Sequence, residues 1–391
     1  MRRLVLLARI WLVRVVHAIA TFLPIQDRIV LATAMSPVLR GNLAAIDAEL
    51  RGRRPRPRIA VIASRRRRGA RGLLDTVAMS ARGAYYLATS RLFIVDDYFF
   101  PIYAVRRRPG TTVIQTWHAS GAFKRMGWSL EGRSFGGGRA LRDLVPIHAN
   151  YDICLVSAQR FVPAYAEAFR LPPERFVSDV GNPATDVLFG DGAAGVAARV
   201  RERLAIPPGR TVVLYAPTFR GDSGVDPDSG ALLDLAELRR AIGETHVVLV
   251  RLHPFVRRRL LLDEVDGFVI DVSDEPRIEE LMLASDVLVT DYSSTIFEFS
   301  RLGRPIVLFA PDLAAYERQR GFYFDYRSGV PGPVLETSRA VADCLRDGSF
   351  DLDRVREFGR QAFDVADGRA AARFVDRFAT PLPGGAGPLR S

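Results

Sequence analysis

The chain has 391 residues, 48% hydrophobic and 25% charged, an ordinary globular composition at a length that suits two or three domains. Its net charge of +11 rests almost wholly on arginine, with Lys124 the single lysine, so phosphorylated substrates, anionic lipid head groups and nucleic acid are all electrostatically compatible. Two cysteines far apart in apolar stretches, Cys154 and Cys344, read as buried free thiols in a reducing compartment, and five histidines without CxxC or HExxH spacing give a structural zinc site little support.

Residues 3–24, RLVLLARIWLVRVVHAIATFLP, are apolar but interrupted by Arg9, Arg14 and His17, which fall on one broad side of a helix. A spanning helix wants about 20 nearly uncharged residues, and a secretory signal wants an uninterrupted apolar region before a cleavage site. The pattern therefore predicts an amphipathic, membrane-associating helix over residues 1–25, with its arginines at anionic head groups and Leu4, Trp11, Leu12 and Val15 in the acyl boundary. The plainer reading is a helix packed on the protein itself.

After Pro24, short apolar runs alternate with helix-length segments: RIVLATA at 28, RIAVIAS at 58, RLFIVDD at 91, TTVIQTW at 111 and DICLVS at 152. Such runs predict buried parallel strands with crossover helices, an α/β domain over residues 26–190. The basic runs at 51–71 read as solvated loops or, more sharply, as a membrane or polyanion contact. GNPATDVLFGDGAAG, at 181–195, makes a linker. The rhythm restarts with TVVLYAP at 211, HVVLVRLHP at 246, GFVIDVS at 267, DVLVTDY at 286 and PIVLFAP at 305, a second α/β domain over residues 191–378, before a flexible tail at 379–391. Two doubly wound sheets facing a cleft suit a nucleotide-linked donor, because ligands of such sheets bind at the carboxyl ends of the strands.

The chemistry-bearing residues sit at those ends. In QTWHASGAFKRMG a strand runs into His118, whose imidazole titrates near working pH and can act as general base among small neighbours; Ser120, Lys124 and Arg125 follow on the acceptor side. In VLVRLHPF, Arg251 and His253 share one face at a strand end that Pro254 terminates, and can hold a diphosphate. In TDYSSTIFEF the strand ends at Asp291, and Ser293 and Ser294 stand at a predicted helix start, a place for a phosphate. One turn on, Glu298 is placed to hold a ribose hydroxyl or to close a capping box. In YAPTFRGD, Thr218 and Arg220 can face the same cleft. For each of these the plainer alternative is a structural histidine, an exposed strand-end cation or a helix cap.

In this order QTWH, KRMG, GNPATD, LYAPTFR, RLHP, TDYSSTIFEF, RPIVLF and GFYFDY resemble the CDP-glycerol glycerophosphotransferase family of teichoic-acid synthesis, from about Pro24 to residue 378 and including Asn42 of GNLAAIDAEL. The resemblance implies a GT-B-like fold, a peripheral position on the cytoplasmic face of the cell membrane, and transfer of glycerol phosphate from CDP-glycerol to a hydroxyl of a lipid-linked or polymeric acceptor, with release of CMP. It implies His118 as base, His253 as a partner of the diphosphate, and Ser293 and Ser294 as phosphate-binding hydroxyls, with Arg251, Thr218, Arg220, Asp291 and Glu298 around them. It departs from the usual WHGTPLKKMG in Ala119, Ser120, Gly121 and Ala122 and is one residue longer before Lys124, and Glu298 stands where aspartate is common. CDP-ribitol is therefore an alternative donor, as is a nucleotide sugar on the same architecture, and a non-catalytic polyanion-binding protein is the reading from another class. No dedicated carboxylate cluster for a metal is evident, so Mg²⁺ would arrive with the donor diphosphate. Nucleic acid is not an expected partner, since no helix-turn-helix, zinc spacing or stacking platform accompanies the arginines.

Overall fold

The computed structural model describes residues 2–64, 69–133, 139–218, 232–252 and 267–380. Each predicted apolar run forms a strand. In the first half these are β1 (Gln26–Thr33), β2 (Ile59–Ala63), β3 (Ser90–Val95), β4 (Thr112–Gln115) and β5 (Ile153–Leu155), joined by a two-residue edge strand, β6 (Phe176–Val177). The second half holds β7 (Thr211–Ala216), β8 (His246–Val250), β9 (Val269–Asp271), β10 (Val287–Thr290), β11 (Ile306–Phe309) and another two-residue edge, β12 (Val334–Leu335). β6 and β12 were not anticipated, because two residues carry no readable alternation.

Both sheets are parallel and six-stranded, with orders β2-β1-β3-β4-β5-β6 and β12-β11-β10-β7-β8-β9. Their central strands are apolar without alternation, β7 reading TVVLYA and β10 VLVT, because helices cover both faces. In the second sheet the chain steps outward from β7 to β9 and returns to place β10 on the other side of β7, so the loops after β7 and β10 diverge at a switch point.

The halves meet through aromatic rings. Phe123, from the loop after β4, stacks on Phe324 and Tyr326 of the second half at ring separations of 5.3 and 5.7 Å and lies edge-on to Phe297 at 6.1 Å. Backbone bonds between Arg125 and Gly321 and between Tyr323 and Phe123 run alongside.

The helix Ala370–Phe374 and the turn after it cross back onto the first sheet, where Phe374 and Phe378 pack with Ile29, Leu31, Ile94 and Ile114. An amphipathic segment declares that it has an apolar face, not which sheet covers that face. The tail from 381 lies outside the described residues.

The first helix, α1 (Arg2–Ala20), differs from the expectation on its cationic side. It packs on α3 (Gly69–Thr89) and α4 (Phe100–Ala104) through Ile10, Val13 and Ala20; Arg9 and His17 face inward with them, and Arg14 stays exposed at the edge. Arg9 donates to Ser80 Oγ at 2.8 Å and lies over the Phe100 ring, Arg14 donates to the Ala104 carbonyl at 3.0 Å, and His17 is buried. Leu12 is half-buried. Leu4, Trp11, Val15, Ile19 and Phe22 point outward, and Leu73, Leu74 and Val77 of α3 are exposed as well. No described helix is long and apolar enough to cross a membrane.

Candidate functional site

His118 stands just past β4 on a loop held in place from several sides. Gln115, the last residue of β4, is fully buried; its Oε1 accepts from Trp117 N–H at 2.9 Å, and its Nε2 donates to the Asp97 carbonyl at 3.2 Å and to Tyr151 Oη at 2.9 Å. Trp117 has φ of +54°, a left-handed conformation unusual for a bulky residue. It is retained because its ring packs edge-on among Tyr98, Tyr165 and Phe169, and because Asn42 donates to the carbonyls of Thr116 and Trp117 at 3.1 and 3.0 Å. Asn42, in α2 (Gly41–Gly52), also accepts from Ala184 N–H of the GNPATD loop at 2.8 Å.

The imidazole of His118 stacks on Trp117 with ring centroids 4.7 Å apart, and its side chain is 54% exposed. Nδ1 lies 3.2 Å from the Asp96 carbonyl and 3.8 Å from Asp97 Oδ2, and Nε2 bonds nothing among the described residues. The Asp96-Asp97 pair behind the histidine escaped the sequence reading, which took RLFIVDD as a strand end; two acids closing a strand beside a histidine loop were the available signal. Burial, with Asp97 alongside, pushes the Asp96 carboxyl up to about 6.

The residues after His118 serve the loop. Ser120 is fully buried, its hydroxyl accepting from Asn182 Nδ2 at 2.6 Å and its N–H donating to Glu298 Oε1 at 3.1 Å. Gly121 has φ of +73°, and a Cβ there would come within 2.7 Å of the Phe297 ring. Lys124 forms an isolated backbone bridge to Phe322 and Arg125 donates its N–H to the Gly321 carbonyl, so the backbone here stitches the halves together, while the Arg125 side chain pairs with Glu167 of the first half at 3.0 Å.

Glu298 lies in the helix Thr295–Ser300, 8% exposed, and reaches Ser120 across the interface, and the helix start has no side-chain cap bond. Burial pushes its carboxyl up to about 7, against the bonds from Ser120, and Oε2 has no partner among the described residues.

In the second half, Asp291 Oδ1 accepts from Thr218 N–H at 2.8 Å and Tyr292 N–H at 2.5 Å, tying the loop after β10 to the loop after β7 at the switch point. Thr218 and Asp291 thus shape the loop backbone. Ser293 Oγ accepts from Thr295 N–H at 3.3 Å, and Ser294, at the helix start, makes no side-chain cap bond; both are half-buried. Arg251 emerges from β8 and donates to the Glu275 carbonyl at 2.6 Å, and burial is the main cause lowering its proton affinity. Arg40 of the first half lies near enough to oppose the Arg251 charge, and Glu279 of the helix Ile278–Ala284 near enough to support it; neither was singled out from the sequence, since each is an ordinary charged residue at a helix start. His253 and Arg220 lie outside the described residues. No group of three or more His, Cys, Asp or Glu able to hold a metal occurs among the described residues.

Two parallel sheets with a locked histidine loop on one and a serine loop on the other define a transferase of GT-B-like architecture. The sequence profile of CDP-Glycerol:Poly(glycerophosphate) glycerophosphotransferase matches residues 15–379, and the chain belongs to that family. It is 35% identical over 372 residues to a teichoic acid ribitol-phosphate primase of Bacillus spizizenii, covering 94% of this chain and 95% of the primase. To the teichoic acid ribitol-phosphate polymerase TarK of Staphylococcus aureus it is 37% identical over 74% of this chain, which spans only 56% of that polymerase. The solved wall teichoic acid polymerase TagF shares the fold, with a TM-score of 0.75 at 22% identity over 92% of this chain and 91% of that one.

Proposed function

We propose that this protein transfers an alditol phosphate, glycerol phosphate in the first reading, from its CDP-linked donor to a hydroxyl of a membrane-linked acceptor, releasing CMP. The observation that carries the reading is His118: Nδ1 is engaged by the Asp96 carbonyl, with Asp97 behind it, and Nε2 is the nitrogen left for a substrate proton. The acceptor oxygen attacks the phosphorus that bears the alditol, its proton passes to Nε2, and the anhydride bond breaks so that CMP leaves with the electron pair. Ser293, Ser294 and Arg251 are the groups that would meet the donor phosphates, with His253 and Arg220 beside them from the sequence pattern, and Mg²⁺ would travel on the diphosphate.

Ribitol phosphate is the second reading, favoured by the nearly end-to-end match with a ribitol-phosphate primase. Incubation with CDP-glycerol, CDP-ribitol and a UDP-sugar in turn, each with a lipid-linked acceptor, tests both. Acceptor-dependent CMP release supports the proposal and names the alditol; UDP release alone overturns it.

The acceptor side is read as the surface of an anionic membrane. Leu4, Trp11, Val15 and Ile19 form one outward stripe on α1 that Phe22 continues just past the helix, Leu73, Leu74 and Val77 of α3 are exposed too, and the chain carries a net charge of +11. Replacing Trp11 and Phe22 by serine should move the protein from the membrane to the soluble fraction; unchanged sedimentation would refute this placement.

A further inference from the structure

At the edge of the outward stripe, a cleft of about 500 Å³ opens between α1, α4 and the segment after α4. Its polar lining comes from Arg14, His17, Tyr103 and Arg106, and Pro146 closes one side. No carboxylate lines it. Arg14 is fixed at the rim by its 3.0 Å bond to the Ala104 carbonyl, and Arg106 is exposed. Among the described residues neither is in an ion pair, whereas the adjacent Arg107 is paired with Asp152. Arg108, which lies near His17, donates to the backbone carbonyls of Leu23 and Ala88.

His17 is 9% exposed, and its Nε2 is buried without a partner among the described residues. A buried polar atom left unpaired is costly unless an occupant of the cleft completes it. Two guanidinium groups, an imidazole nitrogen able to donate and no competing acid suit a tetrahedral oxyanion. The remaining wall, of Ala104, Val105 and Pro146, is apolar and suits the carbon skeleton that such an anion carries.

We propose that this cleft holds the phosphate of an anionic membrane phospholipid, making the contact of α1 with the bilayer selective for that head group. This rests on the reading of the outward stripe as a membrane face. If α1 lies in the interface, Arg14, which borders the stripe, sits at head-group level and the cleft opens toward it.

The test is flotation of the full chain with vesicles of phosphatidylcholine alone, of phosphatidylcholine with phosphatidylglycerol, and of phosphatidylcholine with oleic acid at matched surface charge. The proposal predicts tighter binding to phosphatidylglycerol than to oleate vesicles, a preference lost about tenfold in Arg14→Gln/Arg106→Gln but kept in a control that removes two remote charges, Arg346→Gln/Arg360→Gln. Equal binding to the two anionic vesicles, or equal weakening by both pairs, overturns the cleft and leaves membrane docking standing. Flotation with no vesicle overturns docking and cleft together. Displacement by submillimolar inorganic phosphate would assign the cleft to a soluble phosphate and overturn the lipid.

Discussion

The histidine loop of the first half and the serine loop of the second occupy equivalent places, each just beyond a central parallel strand, yet they are built in opposite ways. Around His118 the polar groups are committed to the protein: Gln115 to Trp117, Asn42 to two carbonyls, Ser120 to Asn182 and Glu298. Around Ser293 and Ser294 the backbone is tied by Asp291, while Ser294 makes no side-chain cap bond. The first arrangement suits the proposed proton acceptor, whose position must be fixed before reaction. The second suits the proposed phosphate contact, since the Ser294 hydroxyl is not spent on a helix cap.

The largest effect expected is at the base. His118→Ala should lower kcat by roughly 10²–10⁴-fold in a CMP-release assay while leaving thermal stability intact, since the ring is largely exposed. Asn42→Ala should act on the same loop through its support: two buried carbonyls lose their donor, for about 2–4 kcal/mol of stability in denaturant unfolding, and kcat should fall with the donor KM little changed. Ser294→Ala should do the reverse, raising the donor KM about tenfold without moving the melting temperature. If Asn42→Ala raised KM and Ser294→Ala lowered only kcat, the contrast between the loops would be wrong.

Glu298 sharpens the comparison through pH. Its carboxyl titrates near 7 in the fold and near 4.5 when unfolded, so between those values the native state holds the extra proton and stability falls as pH rises. In Glu298→Gln the Ser120 contact has an acceptor still, and this decline, on the order of 2–3 kcal/mol, should vanish from unfolding curves taken from pH 4.5 to 7.5. The smallest effect belongs to Arg125→Ala, whose exposed pair with Glu167 is worth about 0–1 kcal/mol.

The ten longer strands were legible because buried parallel strands must be apolar on both faces, and the positions of His118, Ser293 and Ser294 were legible because strand ends announce themselves. What bonds to what was not. Glu298 sits one turn into its helix as expected, but its partner is 178 residues away, and no local pattern carries that distance. For α1 the outward place of Leu4, Trp11 and Val15 was legible, but the bonding of its arginines was not: their stems pack on apolar neighbours while their nitrogens find a hydroxyl or a carbonyl, so a cationic side can rest on the protein.

The most direct test of the account uses a CDP-alditol carrying ³²P only in the phosphate attached to the alditol, with wild type and His118→Ala compared on a lipid-linked acceptor. Phosphotransfer with His118 as base predicts label in the acceptor product, unlabelled CMP in equal amount, and loss of both in the variant. Label left on the nucleotide, or full transfer by the variant, would contradict it.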